Sequence, residues 1–144
     1  MTDSPELAPY RGEFRYVFFA PRRLYEETVA FYRDVLAFPV VGGFSYGTYL
    51  RASTAIIEII SDPGEGELRD QVHGAGEYRP PEGGWFLIEV PDLDAVYQSS
   101  LEARAEVLHE PRDWPWLFRD FKVKDPCGNV VCLFRRLAGW EQYH

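Results

Sequence analysis

The sequence predicts an α+β fold made of two tandem βαβββ modules. Two observations lead there. One apolar strand, one amphipathic helix and three short strands occur twice in the same order, offset by about 68 residues at their first strands. Between the copies lies a long stretch rich in glycine, proline and charge, without periodicity. The expected organisation is an N-terminal flexible lead (1–13), one domain over 14–136 and a C-terminal tail (137–144). Within the domain, module one covers 14–61, a hinge covers 62–83 and module two covers 84–136.

Module one opens with Tyr16-Val17-Phe18-Phe19-Ala20, whose aromatic and β-branched content favours a strand. Pro21 and two arginines then lead into a helix over Leu24–Leu36. Its apolar residues recur at 25, 28/29, 32 and 35/36, and Pro39 stops it. Short strands follow at Pro39–Gly42, Tyr46–Arg51 and Ala55–Ile60, separated by turn residues. In module two, Trp85–Val90 is the first strand, and Asp92 can cap the next helix. That helix, Leu93 to Ala103, is expected to bury Leu93, Val96, Tyr97 and Leu101. Strands follow at Ala105–His109, Phe118–Lys124 and Asn129–Arg135, the last two joined by the turn Asp125-Pro126-Cys127-Gly128-Asn129. The hinge is open to three readings: a lid, a crossover that exchanges modules between chains, or a solvated connector.

Composition narrows the function classes. Hydrophobic residues make up 46% and charged residues 26%, the balance of a globular protein. No apolar run approaches the roughly 18–20 residues that cross a bilayer. The lead is polar and carries proline, unlike a signal peptide, so a cytoplasmic protein is expected. A net charge of −8 repels phosphate backbones and anionic lipid, which argues against nucleic acid and membrane as partners. The same charge either draws in a cationic ligand or only keeps the chain soluble. Cys127 and Cys132 lack CxxC spacing and read as reduced structural thiols. No nucleophile–base pair or glycine-rich phosphate cradle stands out, so no catalytic residue is assigned.

Three segments carry a family resemblance. They are Glu27-Thr28-Val29-Ala30-Phe31-Tyr32-Arg33-Asp34-Val35-Leu36, the passage Val90-Pro91-Asp92-Leu93-Asp94, and the turn Asp125–Asn129. Over about residues 14–136 the chain resembles the vicinal oxygen chelate superfamily, the group of glyoxalase I, extradiol dioxygenases and bleomycin-resistance proteins. The resemblance implies curved mixed sheets around a cavity, helices on the outside, and a homodimer. It also implies that metal-dependent members place ligands on the first and last strands of each module. Carried onto this sequence, those positions are Tyr16 or Val17, then Glu58, Trp85 and Cys132. One carboxylate and one thiol are too few donors for a divalent ion. His73, His109 and His144 read as surface or structural residues and do not complete the set. Neither a metal nor any other cofactor is expected.

Strand alternation sorts the cavity wall. If Trp85 faces inward, so do Leu87 and Glu89; Ile56, Glu58 and Ile60 share a face, as do Val130, Cys132 and Phe134. Glu58 either pairs with an arginine, Arg51 being the candidate, or awaits a cationic group. The segment Asp113-Trp114-Pro115-Trp116-Leu117 resembles a Pro-Trp-Gly stretch of bleomycin-resistance-like members, with Leu117 where glycine is common. Its tryptophans either stack on a ligand or plug the cavity mouth or a dimer contact. The ligand-binding candidates are therefore Glu58, Trp85, Glu89, Trp114, Trp116 and Cys132. The function they suggest is metal-free binding of a cationic or aromatic small molecule, such as an antibiotic held for resistance. The alternative is a metal-dependent glyoxalase- or dioxygenase-like enzyme that uses Glu58 in a non-standard site.

Overall fold

The computed structural model of the chain describes residues 14–64, 66–73 and 85–143. The lead, half of the hinge and His144 lie outside the described residues, as do the side chains of His73 and Tyr143. Two four-stranded mixed sheets repeat one topology. Sheet one holds β1 (Phe14–Pro21), β2 (Val40–Phe44), β3 (Gly47–Ala52) and β4 (Ala55–Asp62) in the order β1-β4-β3-β2. Sheet two holds β5 (Phe86–Glu89), β6 (Glu106–Asp113), β7 (Phe118–Lys124) and β8 (Val130–Arg136) in the order β5-β8-β7-β6. In each, the first strand runs parallel to the last and the other pairings are antiparallel. The predicted repeat of βαβββ units is thus the fold.

The first helix, α1 (Arg22–Ala30), includes the two arginines that the sequence placed before it, because Pro21 is tolerated just ahead of a helix. Its stripe continues through a widened π turn, Phe31–Val35, so the predicted span to Leu36 holds. What ends it is Ala37 in the left-handed region (φ 61°), where the Phe38 N–H closes on the Tyr32 carbonyl at 2.9 Å. Pro39 comes after the stop and does not cause it.

Three expectations are corrected. The hinge holds a helix, α2 (Glu67–His73), too short to show a stripe. Asp62, buried at the end of β4, accepts the Gly64, Leu68 and Arg69 N–H groups and so holds its start. The strand placed at Ala105–His109 runs on to Asp113, with register shifts around His109 and Pro111 inside it. β6 is an outer strand, where a proline and irregular pairing are tolerated. On α3 (Leu93–Glu102), Asp92 accepts the Ala95 N–H as predicted, but Leu101 is exposed and Ser100 is buried. Position i+7 from Leu93 falls back on the packed side, while i+8 turns off it.

The buried cluster joins both modules. It includes Phe18, Tyr32, Ile57 and Ile59 from the first, and Ile88, Leu93, Phe121 and Leu133 from the second. β1 and β5 meet through side chains, the Tyr16 and Phe86 rings lying 4.6 Å apart. A polar contact also crosses the junction: the Tyr32 hydroxyl on the π turn donates to Asp125 at 2.6 Å. Asp125 in turn accepts the Cys127 and Asn129 N–H groups, and Gly128 supplies the left-handed residue (φ 87°) that the turn needs.

Candidate functional site

The helices cover one face of each sheet, and the opposite, inner faces carry the chemistry. In module one the register sets Val17 and Tyr49 on either side of Glu58. Arg51 and Arg15 both oppose Ile56, so each is a diagonal neighbour of Glu58. Arg15 makes the pair, its Nη1 lying 3.2 Å from Glu58 Oε1. The Arg15 guanidinium lies 4.9 Å from the centre of the Tyr49 ring, which steers it over the sheet. Arg51, the candidate from sequence, is not the partner.

In module two, Leu87 and Lys122 flank Cys132 in the same way. Asp120, only 5% exposed, lies at the centre of this face. Its Oδ1 accepts the Trp114 indole N–H at 2.8 Å and its Oδ2 accepts the Cys132 thiol at 3.3 Å. His109 Nε2 and Lys122 Nζ each lie 3.7 Å from the same carboxylate. The other ring nitrogen of His109, Nδ1, lies 2.8 Å from the Glu110 carbonyl. Burial first, then the neighbouring Asp120 charge, pushes the Cys132 thiol up to about 12, so it stays protonated and donates.

The aromatic residues sort into two groups. Trp85, 56% exposed, and Trp114 flank the Lys122 ammonium, with ring centres 5.4 and 5.9 Å away. Trp116 stacks on Trp114 at 4.9 Å with planes 10° apart. The tight turn before β7 puts Leu117 at φ 66°, a left-handed value that suits glycine, and its N–H still closes on the Trp114 carbonyl at 3.0 Å. The turn keeps the geometry a glycine would adopt. Glu89 stands apart from these, paired with Arg136 at 3.1 Å, whose guanidinium lies 4.1 Å from the Trp140 ring.

Of the six candidates, Trp85, Trp114 and Cys132 gather around Asp120 and Lys122, and Trp116 backs Trp114. Glu58 lies on module one's sheet and Glu89 beside the last helix, α4 (Trp140–Tyr143). Sequence reasoning missed Asp120, Lys122 and His109. The signal was there for the first two, since Phe121 and Val123 alternate with them along β7 and the apolar pair is buried.

The four positions that the resemblance singles out are Tyr16 or Val17, Glu58, Trp85 and Cys132. Val17 stands opposite Glu58, Leu87 stands opposite Cys132, and Trp85 lies on the same alternation as Leu87, two residues before it. β5 begins at Phe86, so Trp85 precedes it by one inward step. A tyrosine or valine, an indole, a carboxylate engaged by Arg15 and a thiol held protonated do not fit a divalent ion. Among the described residues, no group of three histidine, cysteine, aspartate or glutamate side chains is placed to hold one. No described helix is long and apolar enough to cross a membrane.

Known proteins agree with this architecture. Residues 18–133 match the sequence profile of the Glyoxalase/Bleomycin resistance protein/Dioxygenase superfamily, and the chain belongs to that superfamily. Among solved structures it is similar to lactoylglutathione lyase from Agrobacterium tumefaciens, at 17% identity and a TM-score of 0.62, over 88% of this chain and 94% of that one. It is also similar to TioX from Micromonospora sp. ML1, at 17% identity and a TM-score of 0.61, over 85% and 98%. A family enzyme from Burkholderia phytofirmans PsJN aligns at 16% identity and a TM-score of 0.66, over 85% and 97%. At these identities the likeness establishes the fold. No curated protein sequence matches the chain.

Proposed function

We propose that this chain is a metal-free, non-catalytic binding protein that takes a small planar aromatic compound onto its inner face, an antibiotic held for resistance being the physiological role that fits. The observation that carries the reading is Trp85, which is more than half exposed and shares the Lys122 ammonium with Trp114. An exposed indole offers a stacking platform at little conformational cost. Between cationic and aromatic recognition, the aromatic part is favoured. Glu58 and Glu89, the carboxylates available for a cation, already face Arg15 and Arg136.

Titrating the protein with planar aromatic compounds while following tryptophan fluorescence tests this. Saturable quenching that Trp85→Ala abolishes is expected; a flat response across the panel would end the reading. Metal analysis of purified protein should find no stoichiometric divalent ion. A tightly held ion would favour the enzyme reading with Glu58 as ligand or base.

The proposal includes a homodimer. β2 is an outer strand whose Val40, Val41 and Phe44 are exposed, a surface that a second copy would cover. Sedimentation at micromolar concentration should report twice the chain mass, and a stable monomer would remove this part.

A further inference from the structure

We infer that Lys122 is the specificity-determining residue of this face, and that it selects planar aromatic anions, such as arene carboxylates, over aromatic cations. The inference rests on the binding reading above and names its ligand class. An aromatic cage with a carboxylate beneath it ordinarily recognises a cation. Here the cage has a resident one. The Lys122 ammonium lies 5.4 Å from the Trp85 ring centre, 5.9 Å from that of Trp114 and 3.7 Å from Asp120 Oδ2.

Exposure decides what an incoming molecule meets. The Asp120 side chain is 7% exposed and that of Lys122 is 21% exposed, so the ammonium is the more accessible of the two to an incoming molecule. Asp120 is further occupied by the Trp114 N–H and the Cys132 thiol. A ring stacked on Trp85 therefore lands beside a fixed, partly desolvated positive charge. A carboxylate on that ring gains a charge-assisted hydrogen bond, whereas an ammonium meets like charge and finds both indoles engaged. A neighbouring group reinforces the sign: the Arg112 guanidinium lies 5.3 Å from the Trp114 ring centre. The chain's net charge of −8 points the other way, but it is a property of the whole surface and not of this face.

The test compares 2-naphthoate, (2-naphthylmethyl)trimethylammonium and neutral 2-naphthalenemethanol, titrated by tryptophan fluorescence into the full chain, Lys122→Met and Lys122→Arg. Near-ultraviolet circular dichroism checks that each variant is folded. Naphthoate should bind the unmodified chain about tenfold tighter than the ammonium probe; Lys122→Met should lose or reverse that preference, and Lys122→Arg should retain it. Equal affinity for both charged probes in the unmodified chain overturns the assignment, as does a preference that survives in Lys122→Met. If the neutral probe binds and charge makes no difference, the role of Lys122 fails while the binding reading stands. If none of the three probes binds a folded chain, both fall together.

Discussion

The two modules share one topology, yet their inner faces are built on opposite principles. On module one, the Arg15–Glu58 pair lies on an open sheet, with the arginine nearly half exposed and Val17 facing solvent. On module two, the equivalent strands carry Cys132 and Leu87, and the next strand carries a carboxylate that is nearly sealed. Asp120 there faces an indole N–H, a thiol, an imidazole and an ammonium. A duplicated scaffold therefore does not duplicate its chemistry. The register says which residues share a face; burial decides whether a charge there is a weak surface contact or the centre of a network.

The largest expected effect comes from breaking module two's centre. Asp120→Ala leaves the Trp114 N–H without its acceptor and should cost about 2–3 kcal/mol of unfolding free energy in urea. A loss no greater than that of Glu58→Gln would erase the contrast between the faces. Next comes alkaline pH. An unfolded cysteine ionises near 9, whereas Cys132 holds its proton to about 12, so over that window the unfolded chain binds fewer protons and stability falls as pH rises. Tyr32 acts in the same direction above pH 10, because burial, followed by Asp125, raises its hydroxyl well above the ordinary value. Asp120→Asn should weaken the cysteine part of this slope, and an unchanged slope would remove Asp120 as a cause.

Smaller effects sharpen the comparison further. Tyr32→Phe removes the hydroxyl that joins the π turn to Asp125 and should cost about 1–2 kcal/mol, read from the shift in urea midpoint at constant slope. Glu58→Gln should cost less than about 1 kcal/mol, since its partner is nearly half exposed and water screens the pair. The small loss should shrink in high salt; an effect indifferent to salt would mean that Glu58 is engaged in something other than an ion pair.

Much of the fold was legible in sequence because period and punctuation are local. The repeated strand–helix–strand order, the cap at Asp92 and the turn at Asp125–Asn129 all follow from neighbouring residues. Helix α2 escaped because it has seven residues and is held by Asp62, a contact that no hydrophobic stripe reports. Leu101 was placed inside because a stripe leaves the exact facing of its last turn open. At the site, the sequence pointed to Trp85, Trp114 and Cys132 but not to what unites them. Asp120 and Lys122 read as ordinary alternation on β7 until the Trp114 loop folds back over them.

By itself, the amino-acid sequence determined the order of strands and helix within each module, the duplication of that module and the shortage of metal donors at the family positions. These depend on residue type and on spacing along the chain. Which arginine meets Glu58, which carboxylate is sealed and which cation lies between two indoles were decided only by the tertiary structure. Those outcomes depend on side chains from strands far apart in sequence reaching one point, where loss of water multiplies the strength of each contact.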